Sequence, residues 1–196
     1  NEQGVYYILN PYTGNPVAEI MYAGYDKLND LLGGVLPLTS ASRANQVILE
    51  SAEEQGGLVN SVNHSRGSMT WTNALHDLER RGESGLPIGT VVYNGAAANA
   101  LEAAGLVRNL GDGRGSVWQS THATDIVGRW RFILGGNPAT GDRNDGGFPS
   151  SHSSYTAWVP LPGTLLRELT DRSWGAGNRS LPVHVPPTKP RRKGDD

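Results

Sequence analysis

Short runs of β-branched and aromatic residues alternate with segments of helical periodicity along this chain, and that alternation limits its fold most. Residues 58–62, 88–93 and 117–121 predict strands. Residues 69–78, and a stretch rich in small residues that ends near Leu106, predict helices between them. Strands that alternate with helices of this size favour a parallel sheet. The predicted fold class is therefore α/β, a mostly parallel sheet with helices on both faces.

Two more helices are predicted before the first of these strands. Residues 17–32 have apolar residues at helical spacing and stop at Gly33-Gly34. A second helix is expected to begin near Thr39 and run to Gln55. Its predicted inner face comprises Ala44, Val47, Ile48 and Ser51. The remaining predicted elements are a strand at 5–9, a long loop at 135–149, an edge strand at 155–159 and a short helix at 164–171.

Composition excludes several classes of protein. The 196 residues are enough for one domain, or one domain with a tail. Lys and Arg number 17 against 19 Asp and Glu, so the basic surplus typical of nucleic-acid-binding proteins is missing. The absence of Cys excludes disulfides, thiol nucleophiles and zinc bound by Cys. No stretch approaches 18 apolar residues, so no transmembrane helix is expected.

The two ends of the chain differ from its middle. We expect one domain over residues 1–180 and a Pro-rich basic tail over residues 181–196, either a linker or an ordered arm lying on the domain. The basic cluster at 191–193 is typical of a solvated tail. Residues 1–4 carry no signal-peptide pattern and are expected to be the cut edge of a longer protein.

The most informative segment is 57–69, which predicts a strand, a tight turn and a helix with Ser65 at the apex. A serine hydroxyl becomes a nucleophile when it is exposed and a base is within reach. A sharp strand-to-helix turn supplies the exposure and points the first amides of the helix toward a developing oxyanion. Small residues are expected on both sides of such a turn. Gly67 fits that expectation, whereas Asn63 is larger but tolerates unusual dihedral angles. The alternative is that Ser65 only caps the following helix.

Residues 63–67, Asn-His-Ser-Arg-Gly, resemble the nucleophile elbow of α/β-hydrolases, in the form common in lipases. The resemblance extends over roughly residues 58–155 and implies a small α/β-hydrolase-like fold and a serine esterase or lipase. The family's catalytic order is Ser, then an acid, then His. Residues 117–127 resemble the strand end where class 3 lipases place the acid, which implies Asp125. Residues 150–155 then supply His152 in a later loop.

The resemblance implies a role for each of these residues. Ser65 is the nucleophile, His152 the base, and Asp125 the acid that orients His152. The oxyanion would be bound by the backbone N–H of Arg66 and by one from the loop after the first strand, at Tyr12.

Other assignments remain open. His122 is a rival for the base, and Asp142 and Asp145 are alternatives for the acid. Asp125 could also simply cap a helix. The residues expected to bind substrate or line its pocket are Tyr12, His64, Met69, Trp71, His122 and Phe148.

We expect no metal and no cofactor. The five histidines include no His-Glu-x-x-His or other closely spaced ligand pair. His76 is predicted to lie on the surface of its helix, and His184 to be inert in the tail.

A second resemblance concerns residues 10–16 and 135–141, which are similar to C-terminal regions of filamentous-haemagglutinin and contact-dependent-inhibition exoproteins of Gram-negative bacteria. Those proteins carry interchangeable toxic tips. The resemblance implies secretion or display on the cell surface, delivery into a neighbouring cell and a cognate immunity protein. The substrate would then be a small or lipid ester, such as membrane phospholipid.

Two hypotheses from other classes remain. The chain could be a non-catalytic delivery or interaction module of a large exoprotein. It could also be a nuclease toxin that uses His122 and His152 with Arg114 or Arg129 around a phosphate. The sequence leaves lipase, esterase and amidase activity open.

Overall fold

The computed structural model describes residues 15–130, 134–140 and 183–187, together with Gly4, Tyr6, Ile8 and His152. Helices in these ranges are α1 (Pro16–Leu31), α2 (Ser40–Glu54), α3 (Arg66–Arg80), α4 (Ala100–Leu110) and α5 (Ile126–Arg129). Strands are β1 (Val59–His64), β2 (Ile88–Asn94), β3 (Ser116–Ser120) and β4 (Val183–Val185). The predicted strand at 155–159 and helix at 164–171 lie outside the described residues, as does most of the predicted strand at 5–9.

The four strands form one sheet in the order β1-β2-β3-β4. The first three strands are parallel, and β4 is antiparallel to β3. The predicted strands at 58–62, 88–93 and 117–121 and the helix at 69–78 are confirmed, with small shifts at their ends. The chain is therefore an α/β protein with a mostly parallel, mixed sheet.

The core lies between the sheet and a layer of helices. Val91, Tyr93 and Val117 of the strands are fully buried in one cluster with Leu75 and Leu78 of α3. Helix α3 contacts α1, α2 and α4, and α2, α3 and α4 also contact strands of the sheet. Right-handed connections between neighbouring parallel strands place successive helices on the same face of a sheet. Helices on the second face stay a prediction.

Strand β4 belongs to the segment predicted as a tail. Val185 pairs with Val117 and is buried in the core cluster, and His184 pairs with Trp118. Among residues 181–196, at least 183–185 therefore form an ordered arm that extends the sheet.

Helix α1 has its polar face inside. The predicted helix at 17–32 is confirmed, but Asp26, Asn29 and Asp30 are its buried residues. Its exposed apolar residues are Val17, Ile20, Met21, Leu28 and Leu31. Each inner polar side chain has at least one partner: Asp26 pairs with Arg66, Asn29 accepts a hydrogen bond from the Leu36 amide, and Asp30 pairs with Lys27. Paired polar groups can be buried without a large penalty.

The predicted inner face of α2 is wrong. The buried residues of α2 are Ala41, Ser42, Asn45, Gln46 and Leu49. Val47, predicted inside, is exposed. The helix is rotated because Gln46 donates hydrogen bonds to Ala74 O and to Asp77 of α3, and those bonds fix the contact. None of the helices in the described ranges combines the length and the apolar character that crossing a bilayer requires.

Candidate active site

Three parallel strands end at the same edge of the sheet. Strand β1 leads into Ser65, β2 into Gly95, and β3 into the segment that contains His122 and Asp125. This carboxyl edge is where open α/β sheets bind their ligands.

Ser65 has a backbone conformation that only glycine adopts easily. Its φ is 49° and its ψ is −124°, between the end of β1 and the first residue of α3. The Ser65 N–H donates to Asn94 O at 3.3 Å, and the Ser65 carbonyl accepts from the Ala97 N–H at 3.3 Å. Its hydroxyl makes no capping hydrogen bond, so the interpretation of Ser65 as a helix cap does not fit. Strain of this kind occurs at nucleophile elbows.

The flanks of the turn are less crowded than expected. A Cβ atom added to Gly67 would meet no heavy atom within 4 Å outside its own helix backbone and chain neighbours. Asn63 does not have a positive φ, and its amide donates to Ser61 Oγ. The predicted crowding at Gly67 is therefore wrong, and the unusual dihedral angles are confined to Ser65.

Asp125 and His152 lie next to each other at this edge. His152 Nδ1 is 3.0 Å from Asp125 Oδ1 and 3.1 Å from Oδ2. The fully buried carboxylate also accepts hydrogen bonds from the amides of Val127 and Gly128, which open α5. Asp125 therefore caps α5 and also contacts His152.

Gly128 gives Asp125 room to approach the first turn of α5. A Cβ atom at Gly128 would lie 2.7 Å from Thr121 Cγ2 and 3.3 Å from Asp125 Oδ2. A larger residue at this position would displace the carboxylate that holds His152.

His64 fixes the other side of His152. The two imidazole rings are stacked with centroids 4.8 Å apart and an interplanar angle of 29°. His64 Nε2 donates to the backbone carbonyl of His152 at 2.8 Å. Burial lowers the pKa of His64, which keeps the ring neutral beside His152.

His64 links Ser65 to His152. Ser65 follows His64 in the chain, and the His64 ring lies against the His152 ring. No hydrogen bond joins Ser65 Oγ to His152 in the part of the chain that the structure describes. Such bonds often lengthen when no substrate is bound and tighten in the reacting complex.

Arg66 attaches the elbow to α1. Its Nε donates to Asp26 Oδ2 at 2.7 Å, and its Nη1 lies 3.6 Å from Glu19 Oε2. The guanidinium also lies over the Tyr22 ring, 5.5 Å from the centroid. Its backbone N–H is in the first turn of α3, where amides have no partner within the helix. That amide can therefore bind an oxyanion.

Ser68 is a site residue that the sequence did not indicate. Its Oγ donates to Ser65 O at 2.6 Å and accepts from the Ala98 N–H at 3.0 Å. It thus ties the apex to the loop between β2 and α4. Asn137 fastens the same loop from outside, donating to Ala96 O and Ala98 O and accepting from the Ala100 N–H. The sequence gives no signal that a serine in the first turn of a helix will link Ser65 to the β2–α4 loop.

The residues expected to bind substrate are mostly elsewhere. Met69 and Trp71 are 2% and 1% exposed and belong to the core cluster, so they do not line an open pocket. Helix α3 is enclosed by the sheet and by α1, α2 and α4, which explains the burial of residues on more than one of its faces. His122 is buried as well. Tyr12, Asp142, Asp145 and Phe148 lie outside the described residues.

The arginines of the nuclease hypothesis have structural partners. Arg114 donates to the carbonyls of Gly111 and Gly85, at the opposite edge of the sheet from Ser65. Arg129 donates to Ala123 O. These contacts therefore do not support the hypothesis that Arg114 or Arg129 binds a phosphate beside His122 or His152.

The comparisons with known proteins give no relative from which a function can be transferred. No family model, curated protein or solved structure matches the chain.

Proposed function

We propose that this chain is a serine hydrolase that cleaves carboxylic esters through Ser65, His152 and Asp125. The observation that carries the proposal is the backbone of Ser65, with φ 49° and ψ −124° at the carboxyl end of a parallel strand. Strained backbone conformations of this kind cluster at active sites. An Asp–His pair at the same edge of the sheet supplies the base.

The first step is attack of Ser65 Oγ on the ester carbonyl carbon. His152 Nε2 takes the hydroxyl proton, and Asp125 keeps the proton on Nδ1 and stabilises the imidazolium. The carbonyl oxygen becomes an oxyanion beside the Arg66 N–H.

The tetrahedral intermediate then collapses. The bond to the alcohol breaks, His152 returns its proton to the leaving oxygen, and an acyl group remains on Ser65. Water, deprotonated by His152, attacks the acyl carbon, and the second collapse frees the acid and restores the Ser65 hydroxyl.

His64 is a positioning residue in this scheme. Its hydrogen bond to His152 O and its stacked ring fix the base from the side opposite Asp125. Because its pKa is lowered by burial, it stays neutral and does not repel the imidazolium that forms during each turnover.

The finer assignments are part of the same proposal. The fold would be a small member of the α/β-hydrolase class. In that fold, β1 would be the strand that leads into the elbow, β2 the strand and turn that follow the elbow helix, and β3 the strand that leads to the acid. The substrate would be a lipid ester, as for a lipase or phospholipase. The chain would act as the antibacterial tip of an exoprotein of a Gram-negative bacterium, with an immunity protein as its partner.

The test is the hydrolysis of p-nitrophenyl esters of increasing acyl length by the wild type and by Ser65→Ala, His152→Ala and Asp125→Asn. Each variant should lose at least about 10³-fold in kcat/KM, because the triad acts as a unit. His184→Ala, at an exposed histidine on β4, is the matched control and should leave kcat/KM unchanged.

Equal rates for the wild type and Ser65→Ala would refute the proposal. Digestion of RNA or plasmid without ester hydrolysis would favour the nuclease hypothesis. No activity in either assay would favour the hypothesis that the chain is a non-catalytic delivery or interaction module.

A further inference from the structure

Side chains of three helices converge on a second buried cluster, about 15 Å along α3 from the elbow. Asp30 comes from α1, His76 from α3 and Glu102 from α4. One ligand atom from each residue lies within 4.8 Å of the others. Asp30 and His76 are 2% and 9% exposed, whereas Glu102 is 45% exposed. The cluster is thus buried on one side and reaches solvent through Glu102, and the prediction that His76 lies on the surface is wrong.

Two polar atoms in this cluster lack a hydrogen-bond partner. Asp30 Oδ1 and His76 Nε2 are buried, and neither makes a hydrogen bond in the described part of the chain. His76 Nε2 and Glu102 Oε1 are 3.2 Å apart but are not aligned as a hydrogen bond. Two ligands in a tetrahedral zinc site, with bonds of about 2.0–2.1 Å, lie about 3.3 Å apart. The separation of these two atoms therefore fits ligands that share a cation.

The side chains around the cluster carry a net negative charge, which favours binding of a divalent cation. Lys27 Nζ lies 2.7 Å from Asp30 Oδ2 and also donates to Ala97 O. One ammonium against the carboxylates of Asp30 and Glu102 leaves one negative charge when His76 is neutral. Burial raises the pKa of Asp30, and the nearby Glu102 carboxylate raises it further, against the effect of Lys27. A cation at the free Oδ1 would relieve this repulsion.

We propose that Asp30, His76 and Glu102 form a binding site for one divalent transition-metal ion, with Zn²⁺ as the best match. One imidazole nitrogen and two carboxylate oxygens are ligands that zinc accepts, and water would fill the fourth position. A bound ion would join α1, α3 and α4. The sequence did not reveal this site because its three ligands belong to three separate helices.

The test is direct metal binding by the full chain. The wild type, stripped with EDTA and desalted, is titrated with Zn²⁺ against a chromophoric chelator. We expect one Zn²⁺ per chain, and tetrahedral absorption bands when Co²⁺ replaces it. At a hundred times Kd, Zn²⁺ should raise Tm by about 5–10 °C.

Variants locate the site. His76→Gln and Glu102→Gln should each weaken Zn²⁺ binding more than about 100-fold, beyond the loss caused by changing outer-shell partners. His184→Gln and Glu54→Gln change exposed residues of the same types and should bind as the wild type does. Absence of stoichiometric binding by the wild type would overturn the proposal. So would unchanged binding by Glu102→Gln, whose exposed position makes it a safe variant for folding.

Discussion

Replacement of Ser65 by glycine should stabilise the protein while it removes the nucleophile. A non-glycine residue in a sparsely populated backbone conformation costs about 1–3 kcal/mol. Ser65 has φ 49° and ψ −124°, which glycine adopts without a Cβ clash. Glycine adds about 0.5–1 kcal/mol of chain entropy to be lost on folding. The net gain for Ser65→Gly is therefore about 1 kcal/mol in the free energy of unfolding, within a range of about 0–2.5 kcal/mol.

Ser65→Ala separates the backbone effect from the loss of the hydroxyl. The Ser65 side chain makes no capping bond, so removal of its oxygen should change the free energy of unfolding by less than about 0.5 kcal/mol. If Ser65 capped α3, the alanine variant would lose about 1 kcal/mol, and glycine would lose a few tenths. The sign of the change for Ser65→Gly relative to the wild type therefore distinguishes strain from capping.

The assay is urea unfolding followed by circular dichroism, with Thr39 as the matched control. Thr39 caps α2 with ordinary extended dihedral angles, and its side chain accepts from the Ser42 N–H. Thr39→Gly and Thr39→Ala should both lower the midpoint. Ser65→Gly should raise it, and Tm should rise by about 2–6 °C. A Ser65→Gly protein less stable than the wild type would refute the reasoning about strain.

Three more predictions follow from single contacts. Asp26→Asn leaves the charge of the buried Arg66 guanidinium poorly compensated and should lower the free energy of unfolding in urea by about 3 kcal/mol. Met21→Gln, on the exposed face of α1, should lower it by less than about 0.5 kcal/mol, and equal losses would contradict the burial of the polar face of α1. Because burial lowers the pKa of His64 from its ordinary value of 6.5, His64 binds a proton more readily in the unfolded chain than in the folded protein. Tm should therefore fall as the pH drops below about 6.5, and His64→Gln should make this fall smaller. Asn137→Ala removes three buried hydrogen bonds and should lower the free energy of unfolding by about 3 kcal/mol; a neutral result would remove Asn137 from the support of the β2–α4 loop.

Local patterns predicted the elements well. The β-branched runs and the apolar spacing of α3 located β1, β2, β3 and α3, because strands and a helix that cover one core must show those periods. The same reasoning located α1 and α2 but did not predict which of their residues are buried. Their buried faces include polar residues paired with partners distant in the chain, such as Asp26 with Arg66. Hydrophobic periodicity does not reveal such pairs.

Some features of the candidate site could be predicted from local sequence, and others depend on tertiary structure. The turn at Ser65 could be predicted, because a strand, a serine and a helix are adjacent in the sequence. The backbone strain at Ser65 and the stack of His64 on His152 depend on how the chain returns to the sheet edge. Met69 and Trp71 were misassigned because apolar residues next to a nucleophile can line a pocket or fill the core, and only tertiary packing decides between these positions.

Labelling with a fluorophosphonate tests the activation of Ser65 most directly, because phosphonylation requires a hydroxyl whose proton a base removes. Intact-mass and peptide mass spectrometry should find one adduct per chain, on Ser65. The adduct should be absent in Ser65→Ala, strongly slowed in His152→Ala and unchanged in His184→Ala. An unlabelled wild type, or a Ser65 adduct that forms equally fast without His152, would contradict the proposed catalytic serine.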